Sequence, residues 1–259
     1  MNPNYLAQSF GLQGRTALVT GSARGIGLAI ATALGHAGAR VLVNDLHAQA
    51  ANDAVDQLQA QRIEARAICF DVADMAAVQN AAQTLDAAGW SVDVLVSNAG
   101  NQNRKALVEM SREEWQSIQD VHVGGAFNCT RVFLPGMCSR GFGRVILTSS
   151  VSGQSTMPLI GAYSTAKAAL GAMARAIAVE YGAKGITANA IAPGFVRTEF
   201  TAGLQEREGF EDFLKQEVPL GQWATPNDIA PVVLFLVSPA AAYVNGQTLA
   251  IDGGLLAQM

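Results

Sequence analysis

Lysine is scarce in this chain: Lys105, Lys167, Lys184 and Lys215 are the only four in 259 residues. Basic residues number 17 against 21 acidic ones, a formal charge of −4, and neither sign gathers in a block. That balance excludes nucleic acid as a partner, because neutralising phosphates takes clustered Lys and Arg. Cysteine is equally sparse. Cys69, Cys129 and Cys138 form no C-x-x-C pair and leave an odd count, so they read as free thiols of a reducing cytosol. The histidines His36, His47 and His122 sit in no H-E-x-x-H or other ligand spacing, which predicts no catalytic metal. The densest apolar run, Val232 to Val237, is too short to span a bilayer. No Lys or Arg precedes Arg15 and residues 1–14 hold no long apolar stretch, which argues against a signal peptide. The expectation is a soluble, cytoplasmic protein without a membrane partner. Neither a Pro/Gly/Ser linker nor a low-complexity segment breaks the chain, so residues 1–259 read as a single domain.

What is present is apolar. Hydrophobic residues make up 50% and charged residues 15%, enough to bury a large core and to exclude intrinsic disorder. Short β-branched runs alternate with longer Ala-rich stretches. Strands are expected at Thr16–Thr20, Arg40–Asn44, Ala65–Phe70, Val92–Val96, Arg144–Thr148, Ile186–Ile191 and Thr248–Ile251. Helices are expected over Gly25–Gly38, Ala48–Gln61, Asp74–Ala88 with Asp74 as N-cap, Ser111–Phe133, Tyr163–Tyr181 and Thr225–Leu236. This β-α-β alternation predicts an α/β fold: one Rossmann-type, doubly wound parallel sheet with helices on both faces. Ligands of such sheets bind beyond the carboxyl ends of the strands, here just after Thr20, Asn44, Phe70, Val96, Thr148 and Ile191.

The first strand runs straight into Gly21-Ser22-Ala23-Arg24-Gly25-Ile26-Gly27 and then a helix. Glycines there let a pyrophosphate approach the backbone at a helix N-terminus, where free N–H groups and the dipole favour an anion. The spacing is G-x-x-x-G-x-G rather than G-x-G-x-x-G. Asp45 closes the second strand, where a carboxylate accepts hydrogen bonds from the ribose hydroxyls of NAD and repels the 2′-phosphate of NADP. Arg24 pulls the other way: it either pairs with such a phosphate or is simply solvated. NAD is therefore expected over NADP. Asp71, at the third strand end, either bonds the adenine amino group or caps a helix. Tyr163 is the only tyrosine with a lysine four residues on, Lys167, which puts both on one helix face. An ammonium beside a phenol favours the phenolate and so creates a proton donor and acceptor for an alcohol/ketone pair.

With Asn98-Ala99-Gly100, Ser150 and Pro193-Gly194 in the same order and spacing, the chain resembles the short-chain dehydrogenase/reductase superfamily over nearly its whole length. That resemblance implies an NAD(P)-dependent alcohol dehydrogenase or ketone reductase. In it Tyr163 is the general acid/base, Ser150 orients the substrate oxygen, and Lys167 holds the nicotinamide ribose and lowers the Tyr163 pKa. It assigns cofactor contacts to Gly21, Arg24, Gly25, Ile26, Gly27, Asp45, Asp71, Val72, Asn98, Ala99, Gly100, Tyr163, Lys167, Pro193, Gly194, Val196 and Thr198. Two positions depart from the pattern. Ser97 replaces the first asparagine of Asn-Asn-Ala-Gly, and His122 stands seven residues after Trp115, where the family has a catalytic asparagine that marks a helix kink. The family asks only for the backbone carbonyl there, so His122 is expected to act through its backbone, with its imidazole a hydrogen-bonded core group rather than a proton relay.

Specificity in the family comes from the segment after Pro193-Gly194, here residues 195–220, which reads as a lid with excess acid. An acidic lid repels an acyl carrier protein. Within the superfamily the chain is most similar to gluconate 5-dehydrogenases and related polyol or sugar-acid enzymes. Those tend to carry two arginines after Asn-Ala-Gly; here Asn103 takes the first place and Arg104 remains to grip a carboxylate, or else is an exposed loop residue. The expected substrate is a small alcohol or ketone of the polyol, sugar or sugar-acid class. A 3-oxoacyl reductase and a catalytically idle NAD-binding regulator are the alternatives. The family usually forms tetramers, so a homotetramer is expected, with Ala166, Ala169, Leu170, Met173 and Ile177 as a contact face or as ordinary core.

Overall fold

The computed structural model describes residues 4–258. In chain order its strands are β1 (Thr16–Val19), β2 (Arg40–Val43), β3 (Ala65–Ala67), β4 (Val94–Ser97), β5 (Gly143–Thr148), β6 (Ile186–Pro193) and β7 (Thr248–Ile251). The helices are α1 (Tyr5–Phe10), α2 (Gly25–His36), α3 (Ala48–Ala60), α4 (Met75–Ala87), α5 (Arg112–Gln119), α6 (Gly125–Arg140), α7 (Gly161–Tyr181), α8 (Ala202–Gln205), α9 (Phe210–Glu217) and α10 (Pro226–Val237). All seven strands pair in parallel, in the order β3-β2-β1-β4-β5-β6-β7. The doubly wound α/β sheet expected from the alternation is therefore present.

Side-chain alternation along the strands divides the core into two layers. Ala17, Val19, Val41, Val43, Val94, Val96 and Ile146 pack against α2, α3 and α10. Leu18, Leu42, Leu95, Val145 and Leu147 face the other way, onto α4, α6 and α7. Central strands are thus buried on both faces, which is why they read as unbroken apolar runs. The lid has its own small core of Leu204, Phe210, Leu214, Val218 and Trp223. Among the described residues, no helix is long and apolar enough to cross a membrane.

Several boundaries differ from the sequence expectation. Strand β3 stops at Ala67 rather than Phe70, because the Asn44 side chain takes over the carbonyls of Ile68 and Phe70 at 3.1 Å each. The expected helix from Ser111 to Phe133 begins at a Ser111–Glu114 capping box but is interrupted by one π turn, Asp120–Gly124, and runs on to Arg140 past Pro135. Asp74 caps α4 as expected, accepting from the N–H groups of Ala76 and Ala77. On α7, Ala166, Leu170 and Ile177 are buried inside this chain, against α5, α6 and the sheet, while Ala169 and Met173 are half-buried.

Candidate active site

One cleft of about 500 Å³ opens over the carboxyl ends of the central strands. It is lined from the loop after β1 (Gly21, Arg24 to Gly27), after β2 (Asp45), after β4 (Asn98 to Gly100, Gln102, Arg104), after β5 (Ser149 to Ser152) and from the end of β6 onward (Pro193 to Val196, Thr198 to Thr201). Helix α7 adds Tyr163 and Lys167, and the π turn adds His122. The structure thus brings together Ser150, Tyr163, Lys167, His122, Arg104 and the cofactor set named from the sequence, apart from Asp71 and Val72. Asp71 makes a local turn, its carboxylate accepting from the Ala73 N–H, and Val72 packs in the core, so neither lines the cleft.

The adenosine end is a backbone cradle. Gly21 has φ +60°, and a Cβ there would sit 2.9 Å from the Ala99 Cα. A Cβ on Gly27 would run into the Gly21 carbonyl and the Asn98 amide. Helix α2 starts on Arg24 with no side chain capping its first N–H groups, so donors and dipole are free for an anion. Asn98 fastens the floor: its side chain donates to the carbonyls of Thr20 (3.0 Å) and Gly21 (3.1 Å), while Thr20 Oγ1 accepts from the N–H of Asn98 and of Ala99. These features fit a dinucleotide pyrophosphate. The Arg24 side chain is largely solvated, 73% exposed. It forms an ion pair with Glu199 of the lid at 3.1 Å. Asp45 accepts from the His47 N–H through one oxygen and stays partly open to the cleft.

At the other end Lys167 is 4% exposed, and its Nζ donates to the Thr148 carbonyl at 2.6 Å. Ser149 Oγ donates to the Lys167 carbonyl at 2.6 Å, fixing the helix turn that carries it. Burial holds the Lys167 pKa down to about 7. Ser150 follows β5 in extended conformation, and its Oγ accepts from the Ser152 N–H. The Tyr163 phenol does not behave as expected from the sequence. Burial raises its pKa, and what opposes that rise is hydrogen bonding to Ser150 and the charge of Arg104. Lys167 does not lower it here: its ammonium lies 5.4 Å from the ring centroid, is tied to Thr148 and is itself weakened by desolvation.

His122 is 2% exposed and meets the Tyr163 ring edge-on at 5.4 Å between centroids. Burial, and then the Lys167 charge, hold its pKa down to about 3, so the imidazole is neutral at physiological pH. Sequence reading gave no role to the side chains of Asn44 and Gln102. Asn44 accepts from the Gly21 N–H and anchors the glycine loop to the second strand end. Gln102 donates to the Phe200 carbonyl of the lid at 2.7 Å, and the Phe200 ring lies 6.1 Å from that of Tyr163. An amide at a strand end was the only available signal for the first; the second joins positions 98 apart and leaves no local trace.

Comparison with known proteins agrees with this geometry. A family model described as enoyl-(acyl carrier protein) reductase matches residues 21–256. The gluconate 5-dehydrogenase of Gluconobacter oxydans (strain 621H) is 34% identical over 246 residues, covering 95% of this chain and 96% of the relative. The 3-oxoacyl-[acyl-carrier-protein] reductase of Synechocystis sp. is 37% identical over 247 residues, covering 95% and 98%. A gluconate 5-dehydrogenase from Burkholderia cenocepacia, solved in complex with NADP and tartrate, superposes with a TM-score of 0.95 at 34% identity, covering 98% of this chain and 99% of that one. The matched length, the parallel sheet and the shared cleft of Ser150, Tyr163 and Lys167 lead to one conclusion: the chain belongs to the short-chain dehydrogenase/reductase family.

Proposed function

We propose that this oxidoreductase interconverts a secondary alcohol and a ketone on a sugar acid of the gluconate class, with NAD as its cofactor. The supporting observation is the placement of Arg104, which shares the cleft with Ser150 and Tyr163 and whose charge reaches the phenol. A guanidinium beside the reacting group suits a substrate that carries a carboxylate.

In this reading the α2 N-terminus and its glycines hold the pyrophosphate, Asp45 the adenosine ribose, Asn98 to Gly100 the floor, and Pro193, Gly194, Val196 and Thr198 the nicotinamide end. Lys167 holds the second ribose. The bound nicotinamide supplies the hydride acceptor in oxidation and the donor in reduction. Tyr163 takes the hydroxyl proton during oxidation and returns it during reduction. Ser150 hydrogen-bonds the same substrate oxygen. With its pKa near 7, Lys167 can give up and regain a proton at neutral pH, which suits it to carry the proton onward. A carrier-bound 3-oxoacyl substrate fits less well, because Glu206, Glu208, Glu211, Asp212 and Glu217 make the exposed lid acidic. We also carry the homotetramer over from the family as an expectation; on α7 only Ala169 and Met173 of the five named residues retain surface for such a contact.

The substrate class is tested with gluconate and its uncharged polyol counterpart. Wild-type protein is expected to favour the acid. Arg104→Gln should raise KM for gluconate by roughly tenfold or more, the cost of a lost charged hydrogen bond, and leave KM for the polyol unchanged. It should also move the acidic limb of the oxidation profile to higher pH, because the charge that lowers the Tyr163 pKa is gone. An equal loss on both substrates contradicts a carboxylate grip.

The cofactor is tested at Asp45. The Burkholderia neighbour carries NADP; in this chain Asp45 lines the adenosine end and Arg24 is engaged by Glu199. Asp45→Ser should lower kcat/KM for NAD by about tenfold and raise the NADP/NAD ratio, since a repulsive element disappears. A wild-type preference for NADP contradicts the assignment.

A further inference from the structure

The proton chemistry above makes no use of the His122 imidazole, yet the fold is built closely around it. The ring sits on the π turn between α5 and α6 and is 2% exposed. Its Nε2 lies 2.8 Å from the Asn101 carbonyl oxygen and 3.3 Å from the Asn101 amide nitrogen, and in the tautomer protonated at Nε2 it donates to the carbonyl; Nδ1 is buried without a hydrogen-bond partner. A neutral ring with one nitrogen committed to a carbonyl and the other partnerless is poorly equipped to relay protons.

Gly100 is the counterpart of this ring. Its φ is not positive, so backbone conformation does not demand glycine there. A Cβ at position 100 would instead run into His122 Cε1 and come within 3.1 Å of Nδ1. The imidazole occupies the space that a side chain at 100 would need. What it fixes is the loop that follows. Asn101 is held by its carbonyl to His122 and by its side-chain amide to Ser117 at 3.3 Å. The next residue, Gln102, clasps the Phe200 carbonyl, and Arg104 lines the cleft two positions on.

We propose that His122 is a positioning residue: keyed against Gly100, its imidazole sets the loop 101–104 and thereby places Arg104 and the Gln102–Phe200 clasp at the substrate end of the cleft. The inference rests on the dehydrogenase reading for its kinetic readout only; the fit of ring to glycine is independent of any activity.

The test is a double-mutant cycle on Gly100→Ala and His122→Ala, with His122→Asn as the conservative variant. In thermal melts, Gly100→Ala should lower Tm sharply in the wild-type background and much less in the His122→Ala background, because the clash has gone. In kinetics, His122→Ala should raise substrate KM about tenfold, as loss of an ordering hydrogen bond does, while kcat falls far less than in Tyr163→Phe. NADH affinity, read by fluorescence titration without substrate, should be unchanged. His122→Asn, whose amide can donate to the same carbonyl, should recover part of the KM. Additive Tm losses overturn the pairing whether or not the protein turns over gluconate. A kcat loss equal to that of Tyr163→Phe at unchanged KM overturns the positioning role in favour of proton transfer. Parallel loss of substrate and NADH affinity overturns it in favour of general damage.

Discussion

Tyr163→Phe is expected to lower kcat by roughly two orders of magnitude or more, the usual contribution of a positioned general acid/base. The variant removes one hydroxyl from a ring that Phe200 and His122 hold from two sides, at 6.1 and 5.4 Å between centroids, so the site around it should persist. NADH binding should persist too, because the glycine loop and Asp45 lie at the other end of the cleft. Fluorescence titration checks the binding and initial rates check the turnover. A variant that keeps most of its activity removes Tyr163 from the mechanism. Because burial raises the phenol pKa in the protein alone, oxidation should gain rate as pH rises and the phenolate fraction grows. Reduction needs the protonated phenol and should lose rate in the same direction.

Lys167→Met is the other large effect. It removes the cation tied to the Thr148 carbonyl and the group assigned to carry protons outward. Turnover should fall by about 10²–10³, as it does when one preorganised electrostatic group is deleted. Stability should move the other way with pH. The folded pKa of Lys167 is about 7, below that of a free lysine, so the unfolded chain binds the extra proton between those values. The cost of burying this lysine is therefore fully present below pH 7 and shrinks as pH rises above it. The Tm of Lys167→Met relative to wild type should accordingly be more favourable at pH 6 than at pH 9. A difference that stays the same at both pH values shows that Lys167 is better solvated than its 4% exposure implies.

The parts of this site that were legible from the sequence are those encoded locally. The glycine loop announces itself because a tight strand-to-helix turn and an anion cradle both need missing side chains within seven residues, Gly21 to Gly27. Tyr163 and Lys167 share a helix face by spacing alone, and the unbroken apolar strands betray a sheet covered on both sides. What escaped is non-local or energetic. No pattern near Arg24 names Glu199 as its partner, and none near Gln102 points to Phe200. The length of β3 could not be read from the run Ala65–Phe70, because Asn44, just past the end of β2, takes the carbonyls of Ile68 and Phe70. Spacing put Lys167 next to Tyr163 but not the depth of either group. Burial turns the expected fall in the phenol pKa into a rise and passes the lowering role to Ser150 and Arg104. Composition leaves the α7 face of Ala166, Ala169, Leu170, Met173 and Ile177 open between subunit contact and core, since small apolar residues serve both; depth divides it, with Ala166, Leu170 and Ile177 buried.

The central claim, a sugar-acid dehydrogenase working through Tyr163, is tested most directly by one assay. Purified protein is mixed with gluconate and NAD, in parallel with NADP, and reduced nicotinamide is followed at its absorption band for wild type and Tyr163→Phe. The account predicts signal from wild type, greater with NAD than with NADP, and about a hundredfold less from the variant. Absence of signal from wild type on gluconate and the related sugar acids with NAD or NADP, and on the 5-keto acid with NADH or NADPH, would contradict it.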